Sequence, residues 1–223
     1  MEKKDYLPML HEEILNILDE IVRVCESHGL HYYLIGGTLL GAVRHKGFIP
    51  WDDDLDIIMP RDDFEKFVNE SYKDLKDGFS LEWINTNPKY NYIFAKVCRD
   101  GTLFEEEIGE RSTSKRGIFV DIFPMDVTNG YSPVVEKQKK EVLRWSGLLF
   151  TKYYASEKTG IKKLILNILP GSFLNARATH YMKKSSSPEG QYYSNFGSQY
   201  NIKRQTHPIS NFGEGVLLPF EDR

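Results

Sequence analysis

Cysteine is scarce in this chain of 223 residues: Cys25 and Cys98 stand far apart and form no CxxC pair. That excludes a disulfide framework and a paired-thiol redox motif, and it makes the reducing cytoplasm the expected compartment. Charge of one sign is lacking too, since the formal net charge is −3. No global basic field invites a nucleic-acid polymer. Long apolar runs are absent. LILNIL, residues 164–169, is too short to span a bilayer and is expected to pack on the core, with peripheral contact at the inner face of the membrane as the alternative. The opening MEKKDYLPML has charge without the apolar stretch of a secretory signal. What remains is a chain with 40% hydrophobic and 27% charged residues, ordinary for a globular protein and long enough to bury a real core.

The segment GGTLLGAVRHKGFIPWDDDLDII, residues 36–58, concentrates glycines, a basic turn and four aspartates. Common motifs fail on it. Ala42-Val43 follows Gly41 where a P-loop needs Lys and Ser or Thr, and no GxGxxG is present. An EF-hand begun at Asp52 meets Ile57 at its glycine and Asp63 at its final glutamate. GxSxG and HExxH are missing, which sets aside serine hydrolases of that type and zincins.

Periodicity places this segment among alternating helices and strands. Leu10, Ile14, Leu18, Ile21 and Cys25 recur at helical spacing, and Gly29 ends that helix. HYYLI reads as a short strand entering the Gly36-Gly37 turn, with Thr38 capping a helix through Val43. DLDIIM is a strand, Arg61 to Glu70 a helix, and FSLEWINT, YIFAKVCR and GIFVDIF three further strands, the last ending at Pro124. Ser132-Pro133 starts a helix to about Tyr154, and Ile161 to Leu169 and Phe173 to Lys184 are two more, broken at Pro170-Gly171. The expected class is α+β, a mixed sheet flanked by helices. Residues 1–130 form the core and 131–223 a mainly helical region packed on it, with loops and one or two strands near the end.

Four neighbouring carboxylates repel one another, so a fold that gathers them normally supplies a cation. On a strand, Asp54 and Asp56 share a face about 7 Å apart. Hard oxygen ligands of this kind suit Mg²⁺ or Mn²⁺, ions that work beside phosphates. Gly36 and Gly37 let backbone approach a phosphate closely. Asp121 lies inside an apolar strand and supplies a third carboxylate if that strand is adjacent; otherwise a core arginine is its expected partner. Asp52 and Asp53 read as outer partners of a metal or as turn residues. Arg44, His45 and Lys46 grip donor phosphates or form a surface ion-pair cluster, and Lys96 and Arg99 carry the same two readings. Trp51 stacks on a base or fills structure. His180 and His207 lack ligand spacing and read as structural or exposed.

YYLIGGTLLGAVRHKGFIPWDDDLDIIMPRDDFEKF resembles the signature of the LicD family, the phosphocholine-transferase group related to fukutin-type proteins, and GIFVDIFPMD resembles that family's next segment. The resemblance implies a nucleotidyltransferase-like fold. It implies a metal site of Asp54, Asp56 and Asp121, with Asp52 as a further candidate, and donor phosphates near Gly36, Gly37, Thr38, Arg44, His45, Lys46 and Lys96. The implied reaction is metal-dependent transfer of phosphocholine or a similar group from CDP-choline or another CDP-alcohol. Its acceptor is a hydroxyl of a cell-surface glycan or a lipid-linked precursor. A Tyr-Gly-Asp segment common further along such proteins is not found here, which keeps a catalytically inactive binding protein as an alternative. A DxD glycosyltransferase using a nucleotide sugar is another.

Overall fold

The computed structural model describes residues 3–104, 117–153, 166–184 and 186–223. Helix α1 (Lys3–His28) carries its apolar stripe as expected, and Leu10, Ile14, Leu18, Ile21 and Cys25 are all buried. Gly29, with φ +63°, turns the chain out of the helix, and Leu30 N–H donates back to the Cys25 carbonyl. The elements that follow are β1 (Tyr33–Leu34), α2 (Gly36–His45), β2 (Asp56–Pro60), α3 (Arg61–Asn69), β3 (Phe79–Glu82), β4 (Ala95–Arg99) and β5 (Phe119–Thr128). After them come α4 (Pro133–Tyr153), α5 (Gly171–Lys183), β6 (Tyr192–Ser194) and β7 (Thr206–Pro208). Most of the expected helix over 161–169 lies outside the described residues.

One mixed sheet of seven strands organises the protein, in the order β1-β2-β5-β4-β3, with β6 joined to β5 and β7 to β6. The class is α+β, as the sequence indicates. Strands β2 and β5 run parallel, while the other pairings are antiparallel. The expected end of β5 at Pro124 is corrected: the strand continues to Thr128. Its far half pairs with β6 from the C-terminal region, and Pro124 lies opposite Met59 in the ladder with β2.

Strand alternation divides the sheet into two unlike faces. Leu55, Ile57, Met59, Val97, Val120 and Ile122 point to one side, where they pack with α1 and with Phe64 and Phe67 of α3 in the main core. A second cluster, with Val142, Leu149, Leu174, Ala178 and Phe196, holds α4 against α5. Arg61, the first residue of α3, donates from Nε and Nη2 to the two carboxylate oxygens of Asp126 on β5, each at 2.8 Å. Asp126 is fully buried, so this bidentate pair fastens helix to strand where water cannot compete.

Candidate active site

The other face of the sheet gathers the ionic residues. Asp56 and Asp121 are register partners across the parallel β2–β5 pair, and Lys96 is the partner of Asp121 across the antiparallel β5–β4 pair. Three adjacent strands thus present a single row of two carboxylates and an ammonium. Lys96 Nζ lies 3.1 Å from Asp121 Oδ1 and 3.2 Å from the centroid of the Phe119 ring. The lysine is 5% exposed, so its charge is balanced by this carboxylate and by aromatic faces. Asp121 therefore pairs with a lysine, and the core arginine Arg61 serves Asp126.

The diglycine abuts the same row. Gly36 has φ +58°, a conformation costly for other residues, and a Cβ there would lie 3.7 Å from Asp56 Oδ2. A Cβ on Gly37 would come within 2.7 Å of Asp52 Oδ2. At the second position a side chain would press on the Asp52 carboxylate, whereas at the first the backbone shape itself calls for glycine. The expected cap role of Thr38 is corrected: α2 begins at Gly36, and Thr38 Oγ1 instead accepts a hydrogen bond of 2.9 Å from Asp56 N–H. The buried hydroxyl ties the start of α2 to the start of β2. The positive end of the helix dipole therefore stands beside the carboxylates of Asp52 and Asp56.

Asp54 departs from its expected position on the strand. Strand β2 starts at Asp56, and Asp54 is exposed in the preceding irregular segment. The strand-face argument for an Asp54–Asp56 pair is replaced by a cross-strand pair, Asp56–Asp121. Burial, then repulsion from Asp121 and Asp54, pushes the Asp56 carboxyl up to about 8; Lys96 opposes the rise and Asp52 adds to it. Asp52 is held from behind by His11, whose Nε2 lies 2.7 Å from the Asp52 carbonyl oxygen and whose ring stacks on Phe48 at 3.9 Å. Spacing along the chain gave no sign of that support, because His11 and Asp52 are far apart in sequence.

Among the described residues, no three His, Cys, Asp or Glu side chains are gathered closely enough to hold a metal by themselves. A pair of adjacent carboxylates does suit Mg²⁺, which commonly takes one or two carboxylates and completes its shell with water and substrate phosphate. The raised proton affinity of Asp56 marks a position where more positive charge would relieve repulsion. In donor type the residues fit such an ion.

Arg44, His45 and Lys46 lie at the opposite end of α2 from the diglycine, about 12–15 Å away by helical rise, and all three are exposed. The structure does not bring them into the ionic row. Lys46 adopts φ +58°, and its carbonyl accepts from Glu221 N–H, so the chain's last residues fasten this turn. Glu221 also accepts from Phe48 N–H at 2.8 Å. Arg99 pairs with Glu13 at 3.5 Å, away from the row, and Trp51 is 70% exposed instead of filling structure. His180 and His207 are exposed.

Comparison with known proteins adds a second line of evidence. The family model described as LicD/FKTN/FKRP, nucleotidyltransferase domain, matches residues 29–145, more than half of the chain and all of the ionic row. The lipopolysaccharide cholinephosphotransferase LicD of Haemophilus influenzae is 37% identical over 160 residues, 70% of this chain and 58% of that protein. The ribitol 5-phosphate transferase FKRP of human and of mouse is 54% identical over 37 residues, 17% of this chain and 8% of FKRP. The chain thus spans a little over half the length of the bacterial relative and a small part of the mammalian ones.

Proposed function

Because this chain belongs to the LicD/FKTN/FKRP family, we propose that it transfers a phosphorylated small group from a CDP-linked alcohol to a hydroxyl of a cell-surface glycan or its lipid-linked precursor. The observation that carries the reading is the register of Asp56, Asp121 and Lys96 on three adjacent strands, against the glycine-started helix α2. The related enzymes named above transfer phosphocholine and ribitol 5-phosphate, so phosphoryl transfer is the chemistry that the site inherits in this reading.

The chain's own groups divide the work. Gly36 and Gly37 leave room for donor phosphate oxygens beside the first turn of α2, where the helix dipole favours negative charge. Asp56 and Asp121 are the pair that would hold Mg²⁺ or Mn²⁺, with Asp54 and Asp52 of the preceding segment adding negative charge nearby. When bound, that ion neutralises the donor diphosphate. Asp121 accepts the proton of the acceptor hydroxyl as its oxygen attacks the phosphorus bearing the transferred alcohol. The bond from that phosphorus to the bridging oxygen breaks, and CMP leaves with the electron pair. Lys96 keeps the Asp121 carboxylate oriented and adds positive charge beside the phosphate.

The test is product analysis with the full chain, a CDP-alcohol, Mg²⁺ or Mn²⁺, and a hydroxylated glycan. The expected products are CMP and a phosphodiester. Transfer of sugar from a nucleotide sugar to give a glycoside would overturn the reading, as would the absence of CMP with every donor. Calorimetry supplies a readout independent of turnover: Asp56→Asn should weaken Mn²⁺ binding in the presence of CDP by about tenfold or more, and unchanged affinity would remove the metal role.

A further inference from the structure

An open groove of about 620 Å³ runs between α3 and α5, away from the ionic row. Arg61, Glu65 and Asn69, spaced by four, line it from one face of α3, and Asn175, Thr179 and Lys183, spaced likewise, line it from one face of α5. The turn after β3, Trp83 to Asn85, completes the wall. Lys183 Nζ meets Glu65 Oε1 at 2.9 Å, clasping the two helices across the groove. Asp126, which holds Arg61, has the strand parity of Val120 and Ile122, so the groove stands on the other side of the sheet from Asp121.

Its hydrogen-bonding groups are unevenly spent. Arg61 is 9% exposed and commits Nε and Nη2 to Asp126, and among the described residues no acceptor meets its Nη1. Asn175 is 4% exposed, and its Nδ2 has no acceptor either. Two buried donors thus lack protein partners. Lys184, just past α5, reaches the groove with its ammonium 5.4 Å from the Tyr181 ring and no carboxylate beside it among the described residues. The other charges lining the groove are neutralised in pairs, Lys183 by Glu65 and Arg61 by Asp126. At the rim, Asn85 Nδ2 donates to Asn69 Oδ1 at 2.9 Å, which leaves Asn85 Oδ1 to accept from a ligand.

We propose that this groove is a binding site for a phosphorylated sugar, separate from the ionic row and independent of the phosphoryl-transfer reading. Surplus donors and an unpaired ammonium call for an oxygen-rich anion, and Arg61 Nη1, Asn175 Nδ2 and Lys184 are the groups that would hold its phosphate. Sugar hydroxyls both give and accept, matching Asn85 Oδ1 and the Thr179 hydroxyl, while Val68 and Ile84 offer apolar surface to the ring. The volume lies within the range of small-molecule sites. A nucleotide is less suited, because Trp83 is 7% exposed and packs edge-on with Phe64 at 5.4 Å, leaving no open ring for a base to stack on. The groove binds without reacting: its one lining carboxylate, Glu65, is taken by Lys183.

The experiment is calorimetric titration of the full chain with glucose 6-phosphate, N-acetylglucosamine 6-phosphate and ribose 5-phosphate, beside glucose and inorganic phosphate. At least one sugar phosphate should bind about tenfold more tightly than either of the last two, because one ligand then engages both the donors and the apolar surface. Asn175→Leu, similar in size, and Lys184→Ala, at an exposed position, should each weaken that binding by about fivefold or more. Asn175→Leu should leave thermal stability unchanged or higher, since it removes a buried amide that lacks a partner. Asp56→Asn should bind as the native protein does, and saturating CDP with Mg²⁺ should not compete. A phosphodiester-linked disaccharide bound more tightly than the monoesters assigns the groove to a unit within a glycan, and the reverse order assigns it to a free sugar phosphate; both support the inference. Inorganic phosphate bound as tightly as every sugar phosphate, competition by CDP, undiminished binding in both folded variants, or no binding of any sugar phosphate would each overturn it. None of these results alters the expected release of CMP, so the two readings fail separately.

Discussion

The two faces of the central sheet are built from the same strands and differ only in the parity of the residues. Towards α1 stand Leu55, Ile57, Val120, Ile122 and Val97; on the reverse stand Asp56, Asp121 and Lys96. The first face is apolar across its centre, and the charges on it, Arg99 with Glu13 and Asp126 with Arg61, are paired, so apolar burial there strengthens the fold. The second buries Asp56 and sets it beside Asp121 and Asp54, and burial first and repulsion second raise its proton affinity. Within three strands, the apolar face provides stability that offsets the electrostatic cost of its reverse. This is the arrangement expected where charge is positioned for chemistry.

The comparison is broken most severely by giving the dry face the chemistry of the wet one. Ile122→Asp should prevent folding at room temperature, read as loss of the cooperative denaturant transition, because its carboxylate would meet only apolar neighbours. Ile122→Ala should retain the fold at a cost of about 2–5 kcal/mol.

Next in size is the buried pair. Arg61→Met leaves Asp126 buried without its bidentate partner and should cost about 3–5 kcal/mol in denaturant unfolding. Adding Asp126→Leu should recover much of that loss; failure to recover would show that Arg61 acts mainly through its contacts with Phe64 and Met182.

On the ionic face the effect should pass from stability to rate. Asp121→Asn keeps volume and is expected to lower turnover of the folded variant by at least about a hundredfold. Near-native turnover in the folded variant would move the proton acceptor elsewhere.

The smallest expected effect contrasts two buried lysines. Lys96 has a carboxylate, whereas Lys139 of α4 donates to the backbone carbonyls of Phe196 and Ser198, and burial pulls its pKa down from 10.5 to about 8. The folded protein therefore releases this proton before the unfolded chain does. Its contribution to stability rises with pH from about 8 to 10.5 and is lost as pH falls back through 8. Lys139→Met should remove that rise, so the native-minus-variant difference in unfolding free energy should grow across this window. A constant difference would show that Lys139 keeps its ordinary proton affinity.

Much of this architecture was legible in advance, for reasons that differ by residue. The stripe of α1 and the alternation of Phe119, Asp121 and Phe123 are local periodicities, and the structure keeps both. Asp54 misled because alternation supplies a face only where a strand exists, and β2 starts two residues later. Thr38 resembled a helix cap until tertiary packing supplied it with Asp56 N–H. Pro124 looked like a strand terminator, yet β5 passes through it to reach β6. Lys96 carried a usable signal, its parity in YIFAKVCR, but parity does not reveal which strand lies alongside.

By itself, then, the sequence determined the order of helices and strands, the residues that share a face within each strand, and the closeness of the diglycine to the acidic segment. Those properties follow from backbone periods and short chain separations. Only the tertiary structure decided that β5 lies parallel to β2 with Asp121 opposite Asp56, sixty-five residues apart in the chain. It also decided that Lys96 closes the row and that Arg61 goes to Asp126. A strand's own period leaves its neighbour and register open, and those are set by how helices from distant parts of the chain pack over the apolar face.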